Sequence, residues 1–279
     1  MHEPTQANPP APIRALAIIS DIHSGSEAAI LQPGFLTEKL QPIGQTPLSK
    51  WLYDCWVIAH DWLDELLPPK EYGLIINGDC VEGNHHRTTE IWHPDVRNHV
   101  KAAIELLAPR AARAGKVFMV KGTPCHVNGA ELSIAAQIGA EVNPEHGQAY
   151  WQNLRIDICG KRVSVRHHFP ATSRSYLEAS QYSIQLGNAV NEAVRAGDRA
   201  PDIIVGAHRH RTGHFIDGNR LAVVTGAWQG LTEYGYKVVT DGVACPSMYV
   251  LDWRGVPDGE LPVVHFRRFN PPPAVAVAV

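Results

Sequence analysis

The sequence predicts an α/β core with mixed β-sheets. Three observations carry that expectation. Short apolar runs alternate with longer stripes of three- and four-residue spacing through the first half of the 279 residues, in the order β-α-β-α-β. The second half carries apolar pairs that flank turn residues, the pattern of hairpins. No apolar run is long enough to span a bilayer.

Residues 1–12 hold four prolines and few large apolar groups, so they are expected to be a flexible lead-in. One domain is expected over 13–270. The segment 271–279, PPPAVAVAV, is expected to be a tail. Arg14–Ser20 (RALAIIS) is a buried strand, and 24–47 a long loop. From Pro47 to Leu67, residues Trp51, Cys55, Ile58, Trp62 and Leu66 form a helical stripe that Pro68 and Pro69 stop. Gly73–Asn77 is a second strand. Val96, Val100, Ile104, Leu107 and Ala111 mark a helix, Lys116–Val120 a third strand, and Glu131–Ala140 a further helix. Leu154–Ile158 and Arg162–Arg166 flank Cys159-Gly160-Lys161 as a hairpin, followed by a helix over Tyr176–Arg195. Asp202–Val205 is a strand. Gly213–Ile216 and Arg220–Val224 flank Asp217-Gly218-Asn219 as a second hairpin, and Ser247–Asp252 with Val263–Phe266 close the sheets.

Composition narrows the function classes. With 44% apolar and 19% charged residues the chain can bury a sizeable core, and global disorder is excluded. The N-terminus has no basic segment followed by an apolar one, so a secretory signal is not expected. Five cysteines without a CxxC pair fit reduced thiols in a cytoplasm. A net charge of −3 argues against a sequence-blind nucleic-acid binder. The 15 histidines, against 25 Lys and Arg together, are the odd feature.

Five polar clusters each follow an apolar strand: Ser20-Asp21-Ile22-His23, Asn77-Gly78-Asp79-Cys80, Lys121-Gly122-Thr123-Pro124-Cys125-His126, Arg166-His167-His168 and Gly206-Ala207-His208-Arg209-His210. In open α/β sheets ligands bind beyond the carboxyl ends of strands, so these groups can gather at one edge. If the segments stay extended, Asp21 and His23 leave one face, as do His208 and His210. Taken singly, each cluster also suits a capped turn or a solvated face. Together they suggest a transition-metal site: carboxylates alone would suit magnesium or calcium, and thiolates structural zinc. A carboxylate shared by two ions would offset their repulsion at roughly 3.5–4 Å.

The order Asp21-x-His23, Gly78-Asp79, Gly122…His126, His167 and His208-x-His210 resembles the calcineurin-like metallophosphoesterase superfamily. The match runs from Asp21 to His210, about two-thirds of the chain. The resemblance implies two mixed β-sheets packed as a sandwich and flanked by helices, a four-layer α/β fold. It implies that Asp21, His23 and His210 hold a first metal, that Asp79 bridges, and that His167 and His208 hold a second. His168 is the alternative to His167. The third block departs from the family pattern, because Thr123 stands where an Asn ligand is usual and His126 follows three residues later. Thr123 is therefore a candidate, weaker ligand of the second metal, and His126 the candidate catalytic residue. Cys125 is a softer alternative ligand.

The resulting expectation is a hydrolase: a metal-dependent phosphoesterase acting on a phosphate mono- or diester through water activated by two divalent transition-metal ions. Manganese is the first expectation, with iron, zinc, cobalt or nickel as alternatives. The expected partner is a phosphoester, including a nucleotide or nucleic acid, with no membrane. A non-catalytic scaffold that binds a protein and a nuclease are the competing readings. Glu82, Asn84, His85, His86 and Arg87 either grip phosphate or form a solvated loop. Arg209 is expected to point away from the metals. Trp228, Tyr234 and Tyr236 either stack on a base or pack against the sheet. His60, His93, His99, His146, His214 and His265 are expected to be ordinary structural or surface residues.

Overall fold

The structure, a computed structural model, describes residues 12–85, 88–127, 129–170, 177–233, 235 and 245–271, with 125 and 127 by backbone only. Most of the expected lead-in and tail lies outside these residues. The element order is β1 (Ala15–Ile19), α1 (Pro47–Leu66), β2 (Gly73–Asn77), α2 (Val96–Ala111), β3 (Lys116–Val120), α3 (Pro124–Val127), α4 (Ala130–Gln137), β4 (Leu154–Ile158), β5 (Lys161–His168), α5 (Glu178–Ala196), β6 (Ile203–Ala207), β7 (Gly213–Asp217), β8 (Arg220–Val224), β9 (Ser247–Asp252) and β10 (Val263–Arg268). Every expected strand and helix is present, with ends that differ by a few residues. The short helix α3 was not expected. Its Pro124 suits a first helical position, where no N–H is needed.

Ten strands form two five-stranded sheets, ordered β10-β9-β1-β2-β3 and β4-β5-β6-β8-β7. In the first, β1, β2 and β3 run parallel and β9 and β10 antiparallel. In the second, β5, β6 and β8 run parallel, with β4 and β7 antiparallel at the edges. Strand β1 shows why two sheets stack. All five of its residues are buried, and alternate side chains leave opposite faces. Ala15, Ala17 and Ile19 pack against residues of α1, α2 and α4. Leu16 and Ile18 pack against Val163, Val165, Ile203 and Leu221 of the second sheet. On the far side, Tyr182 and Leu186 of α5 cover Ala222 and Val224. The layers are therefore helix, sheet, sheet, helix.

Local signals set the element ends. Thr46 caps α1 by accepting from the Ser49 amide, with Pro47 at the first position, and Asp95 caps α2 by accepting from Arg97. The Cys159-Gly160 turn has positive φ at both residues, as a two-residue hairpin needs. The consequence for function is positional. The carboxyl ends of β1, β2, β3, β5, β6 and β8 all open on one edge of the sandwich.

Candidate metal centre

The segment after β1 runs beside the segment after β2. The Asp21 amide donates to Gly78 O (3.0 Å), His23 N to Asp79 O (2.9 Å), and Trp228 N, from the end of β8, to Asp21 O (2.8 Å). The approach is too close for ordinary side chains. A Cβ on Gly78 would overlap the His167 ring, and one on Gly122 would overlap Asp79. The condition that Asp21-x-His23 and His208-x-His210 stay extended is not met. Asp21, His23, Asp79, His208 and His210 have φ of 51°, 49°, 50°, 73° and 54°. They are five of the eight non-glycine residues with positive φ among those described. Each costs roughly 1–3 kcal/mol, and such strain concentrates at functional sites. The left-handed turns bring together side chains that an extended strand would have spread.

Three groups of ligand-type residues result among those described, two of them built from the strand-end clusters. Asp21, His23 and His210 form the first, and Asp79, His167 and His208 the second. In the first, the His23 and His210 Nε2 atoms lie 3.1 Å apart. Asp21 Oδ2 accepts from the His208 amide (3.3 Å). Asp21 Oδ1 is buried and has no hydrogen-bond partner among the described residues. It faces Nε2 of His210 at 3.7 Å and of His23 and His167 at 3.9 Å each. A buried carboxylate oxygen without a proton donor, ringed by three imidazole nitrogens, fits a cation of the borderline class. In the second group, Asp79 Oδ2 meets His167 Nε2 (2.9 Å) and accepts from Thr123 Oγ1 (3.0 Å), while Oδ1 accepts from Thr123 N (2.6 Å). Thr123 Oγ1 also meets His208 Nδ1 (3.1 Å). The structure brings Thr123 into contact with both. Asp79, expected to bridge, faces the second group, whereas Asp21 Oδ1 faces rings from both groups.

Each orienting bond has a partner. His167 Nδ1 donates to Asn77 O (2.6 Å), and His23 Nδ1 meets Glu82 Oε2 (2.9 Å), so both present Nε2 to the site. A bulge in β5 between Val165 and His168 accompanies the turn of His167 inward, buried, and His168 outward, exposed, with its ring 4.6 Å from that of His208. His126 sits on α3 with its ring 4.7 Å from His23 and 4.3 Å from His85, and its Nδ1 donates to Glu82 O (2.9 Å).

Charge follows the same geometry. Burial would raise Asp79, but hydrogen bonds from His167 and His208 hold it well below the usual carboxylate range. Burial would lower His167, but Asp21 and Asp79 raise it to about 10, so a proton stands between the two carboxylates. Burial and neighbouring His23 lower His210 to about 3 and His126 to about 4. His126 is therefore held toward its neutral form, with Nδ1–H engaged by Glu82 O.

Two carboxylates carry weight that the motif reading did not give them. Glu82, one of two open alternatives in the sequence, is buried and bonded to His23, His85 and Gln229. Glu131, on the first turn of α4, accepts from the amides of Gly122 (2.8 Å) and Cys80 (3.3 Å). Burial and the Asp79 charge push it up to about 7. Arg209 turns away, its side chain 4% exposed and 3.7 Å from Glu178. Trp228 is buried against Trp56 in the core, their rings 4.8 Å apart. His86, Arg87, Tyr234, Tyr236 and the Cys125 side chain lie outside the described residues.

The two mixed sheets flanked by helices are the architecture that the resemblance to calcineurin-like metallophosphoesterases implies. No protein-family model matches the chain, and no curated protein matches it. Among solved structures, it is similar to Vps29 from Chaetomium thermophilum, at 11% identity over 95% of this chain and 99% of that one, with a TM-score of 0.43. It is also similar to Vps29 from Entamoeba histolytica complexed with zinc, at 11% over 92% and 98%, TM-score 0.40. A novel archaeal phosphodiesterase matches at 10% over 92% and 99%, TM-score 0.42. Likenesses this distant carry no argument about activity, which rests on the cluster itself.

Proposed function

We propose that this chain is a metal-dependent phosphoesterase, a hydrolase that cleaves a phosphate mono- or diester with two divalent transition-metal ions. The single observation that carries the reading is the pair of Asp/His groups at one sheet edge, joined where Asp21 Oδ1 faces His167. Asp21, His23 and His210 would hold one ion, and Asp79, His167 and His208 the other, with Thr123 beside the second. When bound, the ions would supply Lewis-acid charge and a water of lowered pKa. Manganese, iron, zinc, cobalt and nickel all suit this donor set.

The chain's own residues do the rest. Glu82 and Asn77 O hold His23 and His167 so that Nε2 faces inward. His126, lowered by burial and by His23, can take a proton from the attacking water, and an anionic phosphoester beside it would raise its pKa, so that it can pass that proton to the leaving oxygen as its bond to phosphorus breaks. The scaffold reading is less supported, because a protein-docking surface has no use for five strained ligand positions. The nuclease reading gains nothing from Arg209, the arginine between two of the ligand residues, since it turns toward Glu178. Cys55, Cys80 and Cys159 are free thiols, which supports a reducing compartment such as the cytoplasm. No helix among the described residues is long and apolar enough to cross a membrane.

The test is hydrolysis of p-nitrophenyl phosphate and of bis(p-nitrophenyl) phosphate by ion-stripped protein given each metal in turn. Turnover that needs added ion, and that Asp79→Asn removes, supports the reading. Inactivity with every ion, together with fewer than two ions bound per chain, overturns it in favour of the scaffold.

A further inference from the structure

Glu82 stands three residues after Asp79 and is 4% exposed. A buried carboxylate is costly unless its oxygens are filled, and here each is. Oε2 meets His23 Nδ1 and accepts from Gln229 Nε2, both at 2.9 Å, and Oε1 meets His85 Nε2 at 2.8 Å. The backbone carbonyl of the same residue accepts from His126 Nδ1. One residue thus anchors three imidazoles that come from different segments: His23 after β1, His85 in its own loop, and His126 on α3. Their rings sit edge to face, His126 at 4.7 Å from His23 and 4.3 Å from His85.

We propose that Glu82 is the positioning residue of the first metal group and of the substrate-facing histidines. The inference rests on the phosphoesterase reading and adds a division of labour to it. The bond to Nδ1 fixes the His23 ring so that Nε2 is the atom turned toward Asp21 and His210, the atom an ion would meet. The bond to His85 holds that ring beside His126. The second group needs nothing from Glu82, because His167 is oriented by Asn77 O instead. Glu82 therefore acts on one ion and spares the other.

His23, Glu82 and His126 also lie close enough to suggest a third cation. The bonding argues otherwise. Gln229 can only present N–H to Oε2 from its Nε2, and an amide N–H directed at a carboxylate marks an acceptor that is already used.

The experiment titrates ion-free full-length protein with Zn²⁺ against a chromophoric chelator, and with Co²⁺ by its visible spectrum, for the wild type and Glu82→Gln. The amide keeps the volume but presents only one acceptor oxygen to two imidazoles. One of two binding steps should weaken about 10–100-fold while the other stays within about twofold. The Co²⁺ spectrum of the affected step should shift. Gln229→Leu, which frees the carboxylate from one restraint, should give the same pattern at about threefold and serves if Glu82→Gln does not fold. Equal weakening of both steps with a lowered ion-free melting temperature overturns the proposal, as does no change in either step. A wild-type stoichiometry of three ions, the third lost in Glu82→Gln, overturns it in favour of a ligand role. Wild type that binds no ion overturns the phosphoesterase reading itself, and this proposal with it.

Discussion

The two candidate metal-ligand groups lie side by side, yet their carboxylates are bonded differently. Around Asp21, one carboxylate oxygen keeps no donor, and His23 and His210 converge with Nε2 atoms facing. Around Asp79, both oxygens are filled by Thr123 and His167, and His167 carries a proton. The first group is held open by a carboxylate behind it, whereas the second closes on its own hydrogen bonds. An ion entering the first must displace the hydrogen that His23 and His210 share, since burial would lower His23 but Glu82 raises it; the Asp21 oxygen that faces the ion has no bond to break. An ion entering the second must displace a proton and break bonds that already satisfy the buried charge. The first ion should therefore bind more tightly.

The largest effect that tests this contrast is loss of either carboxylate. Asp21→Asn and Asp79→Asn should each lower turnover by about a thousandfold, the equivalent of roughly 4 kcal/mol of transition-state stabilisation. They should differ in the ion-free protein. Asp79→Asn leaves the His167 proton facing an amide and should lower the melting temperature. Asp21→Asn gives an unpartnered oxygen a donor-capable replacement and should leave melting unchanged or raise it. Equal melting shifts in the two variants would remove the distinction between open and closed groups.

Next in size is the support under the second group. Glu131→Ala strands the amide protons of Cys80 and Gly122, two buried donors on either side of Asp79 and Thr123. The cost should be roughly 2–4 kcal/mol by chemical denaturation. Ion binding at the second group should weaken with it and at the first should not.

How this site was legible follows from where its information sits. The apolar run of β1, buried throughout, and the Gly-containing turns specify strands and hairpins locally, so the elements followed with little error, whereas the order of strands within each sheet was not legible. Asp21, His23, His208 and His210 were visible because each follows an apolar strand, and strand ends converge in any α/β sheet. Their left-handed backbone was not visible, because nothing in the triplets Asp-Ile-His or His-Arg-His demands it; the turn is imposed by neighbours such as Gly78 and Trp228. Glu131 was hidden for the same reason. Its partners are backbone amides, which carry no sequence signature. Glu82 sat in view as a loop acid, and only the fold shows that it meets His23 from 59 residues away.

A third effect is a pH dependence. His167 is raised from its ordinary 6.5 to about 10 in the ion-free fold, so folding favours its proton. That contribution to stability is complete below about 6.5 and is lost as pH rises through about 10. Ion-free protein should therefore lose stability between those values, and ion-loaded protein should not. Binding at the second group should strengthen about tenfold per pH unit from about 7 to about 10, as the proton becomes easier to displace. Calorimetry in buffers of different ionisation enthalpy should find close to one proton released there. Release of no proton at the second group would break the comparison.

The smallest effect concerns Thr123, whose hydroxyl joins Asp79 Oδ2 to His208 Nδ1 and so helps to close the second group. Thr123→Val removes that bond while keeping the shape, and the amide bond from residue 123 to Asp79 Oδ1 survives. If the hydroxyl only satisfies the ion-free carboxylate, Thr123→Val should leave ion affinity at the second group within about threefold, or improve it, since less must be broken on entry. If the hydroxyl is a ligand, affinity should fall by about tenfold or more. Thr123→Asn separates the cases further. It places an amide oxygen, a better ligand than a hydroxyl, at the same position, and should tighten the second ion several-fold at the expense of the ion-free protein's stability. Opposite signs of ion affinity and ion-free stability in that one variant are what a closed, self-satisfied metal group requires.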